Sequence, residues 1–91
     1  MYYECHITIG PHHLSSRSLV EAMGWKFSYI NGDPSFGEGS REYATQHADA
    51  RINLEDVKAA MDRDAHILRQ NGFPVIRQKV ELVVYDTKGK S

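Results

Sequence analysis

Several features that define whole classes of protein are scarce in this chain. Cys5 is the only cysteine among the 91 residues, which excludes a disulfide within them and a zinc site built from cysteines. No apolar stretch approaches the ~20 residues that a helix needs to cross a bilayer. The first residues also lack the basic and then apolar layout of a signal peptide, so we expect a cytoplasmic protein.

An excess of charge is missing as well. The chain has 11 Lys and Arg residues and 12 Asp and Glu residues, which gives a formal net charge of −1. Binding of duplex nucleic acid requires many phosphate contacts, so we do not expect duplex nucleic acid as a partner. The lack of a long apolar stretch likewise predicts no membrane partner. A small anionic ligand needs only a local cluster of cations. The length and ordinary composition predict a single domain over residues 1–87, with 88–91 as a frayed tail.

Alternating apolar residues and turn signals predict six elements in the order β-α-β-β-α-β. Strands are expected near residues 2–9, 25–30, 41–50 and 75–85. One helix follows Ser15 or Ser16, and the other follows Asn53. This order is typical of the ferredoxin-like α+β fold, a four-stranded antiparallel sheet with two helices on one face. In the predicted arrangement the first and third strands lie side by side and parallel in the centre. The fourth strand flanks the first, and the second flanks the third.

The first strand carries the sequence His6-Ile7-Thr8 on an alternating background. Tyr3, Cys5, Ile7 and Ile9 fall on one face of the strand, so Glu4, His6 and Thr8 fall on the other. A His and a Thr two residues apart project side by side and can present a proton and a hydroxyl to one phosphate.

A second pair, Thr45 and His47, lies on the third predicted strand in the reverse order. The third strand's other residues are small and suit packing under helices, so we expect Thr45 and His47 to share the face of His6 and Thr8. The fourth strand adds charged residues and the third an aromatic one to this face: Arg77, Lys79, Glu81 and Tyr43.

These residue types fit phosphodiester chemistry without a metal or other cofactor. His6 and His47 are predicted to act as acid and base, because the pKa of imidazole is close to neutral. Hydroxyls and cations stabilise charge on the non-bridging oxygens of a phosphate. The residues predicted to bind substrate are Thr8, Thr45, Lys79, Arg77 and Tyr43.

The stretch Cys5-His6-Ile7-Thr8-Ile9 resembles the His-x-Thr strand motif of the 2H phosphoesterases. The resemblance implies that His6 acts as acid or base and that Thr8 holds the phosphate. Members of that superfamily normally combine two lobes, each with one such motif, whereas this chain resembles a single lobe. Three alternatives stay open: the reversed pair Thr45 and His47 completes the site, a homodimer supplies the second half, or there is no catalysis.

We therefore predict a small phosphoesterase-like protein that acts on or binds a nucleotide or cyclic-nucleotide phosphate. The alternative is a non-enzymatic ligand-binding or regulatory module, with a homodimer as one form, that uses the same face. Three further sites were weighed: a phosphate on the loop at His12 and His13, a metal bound by a set of five side chains, and a flap at residues 32–39. The five possible metal ligands are His6, His12, His13, His47 and Asp49.

Overall fold

The computed structural model describes residues 1–30 and 41–84, and these form an α+β domain. The predicted turn and flap between residues 31 and 40, and the predicted tail at 88–91, lie outside the described residues. Six elements follow in the predicted order: β1 (Tyr2–Ile9), α1 (Arg17–Ala22), β2 (Lys26–Ile30), β3 (Arg41–Asp49), α2 (Leu54–Gln70) and β4 (Val75–Val83).

The four strands form one sheet in the order β2-β3-β1-β4, in which every neighbouring pair is antiparallel. This confirms the predicted ferredoxin-like α+β fold. The predicted neighbours are also correct, but the prediction that the first and third strands run parallel is wrong. β3 is antiparallel to both β1 and β2, so β1 and β2 share a direction although they are not neighbours. The crossover through α1 joins these two strands, and β3 fills the gap between them.

One face of the sheet packs against both helices. Cys5, Ile7 and Ile9 alternate into this core from β1, as their spacing predicts, and Val20 of α1 is fully buried among the same residues. The second helix contributes a stripe at helical spacing: Val57, Met61, Ala65 and Leu68. No helix in the described ranges combines the length and apolar character needed to span a membrane.

The second helix begins and ends where its sequence predicts. The Asn53 side chain accepts a hydrogen bond from the Glu55 backbone N–H at 2.8 Å and so caps the first turn. Glu55 and Asp56 place negative charge at the positive end of the helix dipole. Gly72, with φ of +86°, adopts the left-handed conformation that ends the helix.

The strand β4 departs from the predicted alternation at its start. The alternation of residues 75–85 predicts that Ile76 shares the core-facing side of β4 with Val80, but Ile76 is 52% exposed. The pairing of β1 with β4 shifts by one residue between Thr8 and Ile9: Thr8 pairs with Arg77, and Ile9 pairs with Val75. The extra residue in β4 is Ile76, which the shift leaves outside the regular pairing.

Candidate functional site

The face of the sheet that carries no helix brings the predicted site residues together. Directly paired residues on neighbouring strands share a face, and His6 lies opposite Thr45 on one side and Lys79 on the other. Thr8 likewise lies opposite Tyr43 of β3 and Arg77 of β4. We call this surface the open face and define it by nine residues: Glu4, His6, Thr8, Tyr43, Thr45, His47, Arg77, Lys79 and Glu81.

A cavity of about 320 Å³ lies on the open face over β1 and β4. Five of the seven predicted site residues line it, together with Glu81: His6, Thr8, Tyr43, Arg77 and Lys79. We call it the β1–β4 cavity.

Three hydrogen-bond donors of this cavity have no side-chain partner among residues 1–30 and 41–84. The hydroxyls of Thr8 and Tyr43 and the guanidinium of Arg77 form neither a hydrogen bond nor an ion pair there. Polar side chains on a sheet usually satisfy one another or face bulk water. All three side chains line the β1–β4 cavity, which opens to solvent and could admit an anion that accepts from them.

His47 and Thr45 line a different hollow. A cavity of about 450 Å³ is bordered by Gly24, Lys26, Thr45, Gln46 and His47. The structure therefore places both histidines on one face, as predicted, but not around one cavity. The reversed order of the second motif explains this, because it brings Thr45, and not His47, opposite His6.

Glu4 links the two histidines. Its Oε1 atom lies 2.7 Å from Nε2 of His6, and its Oε2 atom lies 3.2 Å from Nε2 of His47. The hydrogen bond with the His6 ring lowers the pKa of the Glu4 carboxyl. Burial opposes this effect, and the charge of His6 and the contact with His47 add to it. Sequence reasoning assigned Glu4 to the correct face but gave it no role, although the alternation that identified His6 also marked its neighbour.

The other ring nitrogen of His6 is engaged as well. Nδ1 lies 3.3 Å from Oγ1 of Thr45, so the hydroxyl predicted to bind phosphate contacts an imidazole in this structure. Glu81 has two neighbours, with its Oε1 atom 3.7 Å from His6 Nε2 and 3.1 Å from Lys79 Nζ. Glu81 is the second residue of the site that sequence reasoning left without a role.

The five-ligand metal site considered from the sequence is not assembled. His12 packs its ring against Phe73, with 4.8 Å between ring centroids, and its neighbour His13 lies beside it. Asp49 is paired with the Arg51 side chain, whose hydrogen bonds lower the pKa of the Asp49 carboxyl to about 2. The five side chains proposed from the sequence as metal ligands therefore do not form one group. Among the residues that the structure describes, the His, Cys, Asp and Glu side chains with ligand atoms close together are Glu4, His6 and Glu81.

Comparison with known proteins adds no relative. No family model matches the chain, and neither the curated proteins nor the solved structures give a match. The resemblance to the 2H phosphoesterases therefore depends on the His6-Ile7-Thr8 motif, and any function must be argued from the open face itself.

Proposed function

We propose that this protein binds a small ligand that carries a phosphate, such as a nucleotide or cyclic nucleotide, in the β1–β4 cavity. The observation that carries the proposal is that three unpartnered donors, Thr8, Tyr43 and Arg77, line one cavity. A phosphate has several strong acceptor oxygens and can satisfy all three donors. Arg is especially suited, because its planar guanidinium can bind two phosphate oxygens at once.

The charge of the cavity favours an anion. Arg77 and Lys79 supply two cations against one carboxylate, and Lys79 already offsets much of that carboxylate's charge at 3.1 Å. The volume of about 320 Å³ lies at the small end of the range for ligand pockets, roughly 300–1,000 Å³. Tyr43 offers an aromatic ring on which a base can stack. A mononucleotide-sized ligand fits these features better than a long nucleic acid.

Replacing Arg77 by Ala is expected to weaken nucleotide binding at least tenfold, because a hydrogen bond to a charged group contributes about 1.5–3 kcal/mol. Isothermal titration calorimetry with a panel of cyclic and linear nucleotides measures this loss. Thr8→Val and Tyr43→Phe remove one donor each and nearly preserve shape, so they should weaken binding less than Arg77→Ala does.

The control for this experiment is Lys26→Ala. Lys26 lies on the same face of the sheet but lines the neighbouring cavity with His47. A site built from the β1–β4 cavity leaves binding by this variant within about twofold of wild type. Equal losses in Lys26→Ala and Arg77→Ala would show a diffuse electrostatic attraction and would contradict the proposal.

Cleavage of the phosphoester is the more specific form of the proposal, with His6 and His47 as the acid and base. His6 borders the cavity and has a carboxylate 2.7 Å from its ring to orient it. His47 does not line the cavity but contacts the same carboxylate at 3.2 Å, so we expect the larger effect at His6. General acid–base catalysis contributes roughly 10²–10⁴-fold.

Turnover is tested with the same nucleotide panel in the presence of EDTA. His6→Ala is expected to abolish product formation, while His47→Ala retains part of it and both variants still bind nucleotide. Binding with no turnover by folded wild-type protein would instead establish the alternative, a non-enzymatic ligand-binding module that uses the same cavity.

A further inference from the structure

We propose that Glu4, His6 and Glu81 form a binding site for a divalent transition-metal ion at the edge of the β1–β4 cavity. The proposal does not depend on nucleotide binding, and it is an alternative to acid–base catalysis by His6, because the metal would occupy Nε2 of that ring. Nε2 of His6 lies 2.7 Å from Glu4 Oε1 and 3.7 Å from Glu81 Oε1, and the three ligand atoms all lie within 4.8 Å of one another. Ligands about 2.0–2.2 Å from one ion are separated by about 3–3.5 Å, so small side-chain rotations close the site.

The strand register places two like charges opposite each other. Glu4 of β1 pairs directly with Glu81 of β4, and such a cross-strand pair of carboxylates is destabilising unless a cation lies nearby. His6 is two residues along the same strand face and projects beside them. A divalent ion bound by all three side chains would offset both carboxylates at once.

The donor set selects the class of metal. One imidazole nitrogen and two carboxylate oxygens suit Zn²⁺, Co²⁺, Mn²⁺ or Ni²⁺, and the absence of sulfur disfavours softer ions. Three protein ligands on a solvent-facing sheet leave coordination positions for water or for a ligand oxygen. Such positions are typical of sites that bind or activate a substrate.

Two neighbours fit the role of supporting groups. Without a metal, Nε2–H of His6 donates to Glu4 Oε1 at 2.7 Å. A metal ion would replace this proton, and Nδ1–H could then donate to Oγ1 of Thr45, 3.3 Å away, which is the tautomer that a metal requires. His47 contacts the second oxygen of Glu4 at 3.2 Å and fixes the orientation of that carboxylate. Metal-binding side chains commonly have partners of this kind.

Lys79 occupies the position of a competitor. Its Nζ atom lies 3.1 Å from Glu81 Oε1, the same oxygen that would bind the metal. A metal ion must displace this ammonium, so removing it should strengthen metal binding. The same substitution should weaken binding of a phosphate, which distinguishes the metal site from the nucleotide site.

The sequence gives no sign of this site because its ligands come from two strands. Glu4 and His6 are two residues apart, but Glu81 is far along the chain and is brought opposite Glu4 only by the pairing of β1 with β4. A search for closely spaced ligands therefore predicts no metal, as sequence reasoning did here.

The test is a titration of metal-free protein with Zn²⁺ by calorimetry, and with Co²⁺ by visible absorption, in the absence of nucleotide. Wild type is expected to bind one ion per chain, and Glu81→Gln and His6→Asn to lose at least tenfold in affinity. Lys79→Gln is expected to gain severalfold. His66→Asn, on the exposed side of α2, is the matched control and should bind as wild type does.

Circular dichroism establishes whether each variant is folded. If His6→Asn does not fold, Glu81→Gln still tests the proposal, because the Glu81 side chain is 46% exposed and its substitution should not unfold the protein. The proposal is overturned if wild type binds neither ion at millimolar concentration. It is also overturned if Glu81→Gln binds as tightly as wild type, since the ion would then lie elsewhere.

Discussion

Ile7→Ala is expected to lower the free energy of unfolding by about 3 kcal/mol, within the range of roughly 2–5 kcal/mol for such truncations. Ile7 is fully buried in the central strand β1, between β3 and β4 and beneath the helices. The substitution removes three carbon atoms from a packed core and leaves a cavity that a central strand cannot close by moving. Urea denaturation followed by tryptophan fluorescence measures the change, because Trp25 lies in the same core.

Ile76→Ala is the matched control for this experiment. The same side chain is truncated in a strand of the same sheet, but Ile76 is 52% exposed beside the register shift of β4. Its expected effect is below about 1 kcal/mol, as for most exposed positions. Similar losses at Ile7 and Ile76 would contradict the described difference in burial between the two side chains. A large loss confined to Ile7 supports the described core.

Local patterns in the sequence predict most of the fold. The strand β1 alternates without interruption, so a single choice of face assigns Cys5, Ile7 and Ile9 to the core and their neighbours to the open face. The second helix has its own start and stop signals at Asn53 and Gly72. Such features depend on residues a few positions apart, which a sequence displays directly.

Pairing between distant strands cannot be predicted from the same patterns. The direction of β3 relative to β1 was predicted incorrectly, because alternation is identical in parallel and antiparallel strands. The exposure of Ile76 follows from a shift of one residue between β1 and β4, and no local signal marks it. Topology and register arise from contacts between residues that are far apart in the sequence, so a short stretch of sequence does not show which strands pair.

The candidate site shows the same division. The residue types and their face were predictable, since His6, Thr8 and Lys79 each follow from the alternation of their own strand. Their grouping was not, because it depends on which residues pair across strands. The carboxylates of Glu4 and Glu81 connect the polar side chains of the open face into one network. The sequence places both residues on that face but does not predict these contacts.

Glu42→Ala is expected to lower the free energy of unfolding by about 2 kcal/mol, because it leaves two donors of a buried residue without an acceptor. Oε1 of Glu42 accepts from the Ser16 backbone N–H at 2.9 Å and from the Ser16 hydroxyl at 2.7 Å. Ser16 is fully buried at the start of α1, and both donors depend on this carboxylate. The Glu42 carboxylate thereby links the start of α1 to the first residues of β3. Chemical denaturation measures the loss.

The charge of Glu42 makes part of this stabilisation depend on pH. Burial raises the pKa of the Glu42 carboxyl. The hydrogen bonds from the Ser16 backbone and side chain, together with the Ser15 hydroxyl and the charge of His12, outweigh burial, so the pKa lies below its ordinary value. A lowered pKa means that the contribution is complete above the unfolded-state pKa of about 4.3 and is lost as the pH falls through the folded-state value.

Glu42→Gln keeps an acceptor oxygen but removes the charge, so its stability deficit should be largest near pH 7 and should shrink toward pH 3. Glu21→Gln is the control for general effects of acid. Glu21 lies exposed on α1, and its Oε1 atom is 3.5 Å from Nε of the exposed Arg17. Its effect should stay within about 0.5 kcal/mol at every pH, as for exposed ion pairs. A deficit in Glu42→Gln that is the same at pH 7 and pH 3 would show that the ionised carboxylate does not hold α1 in place.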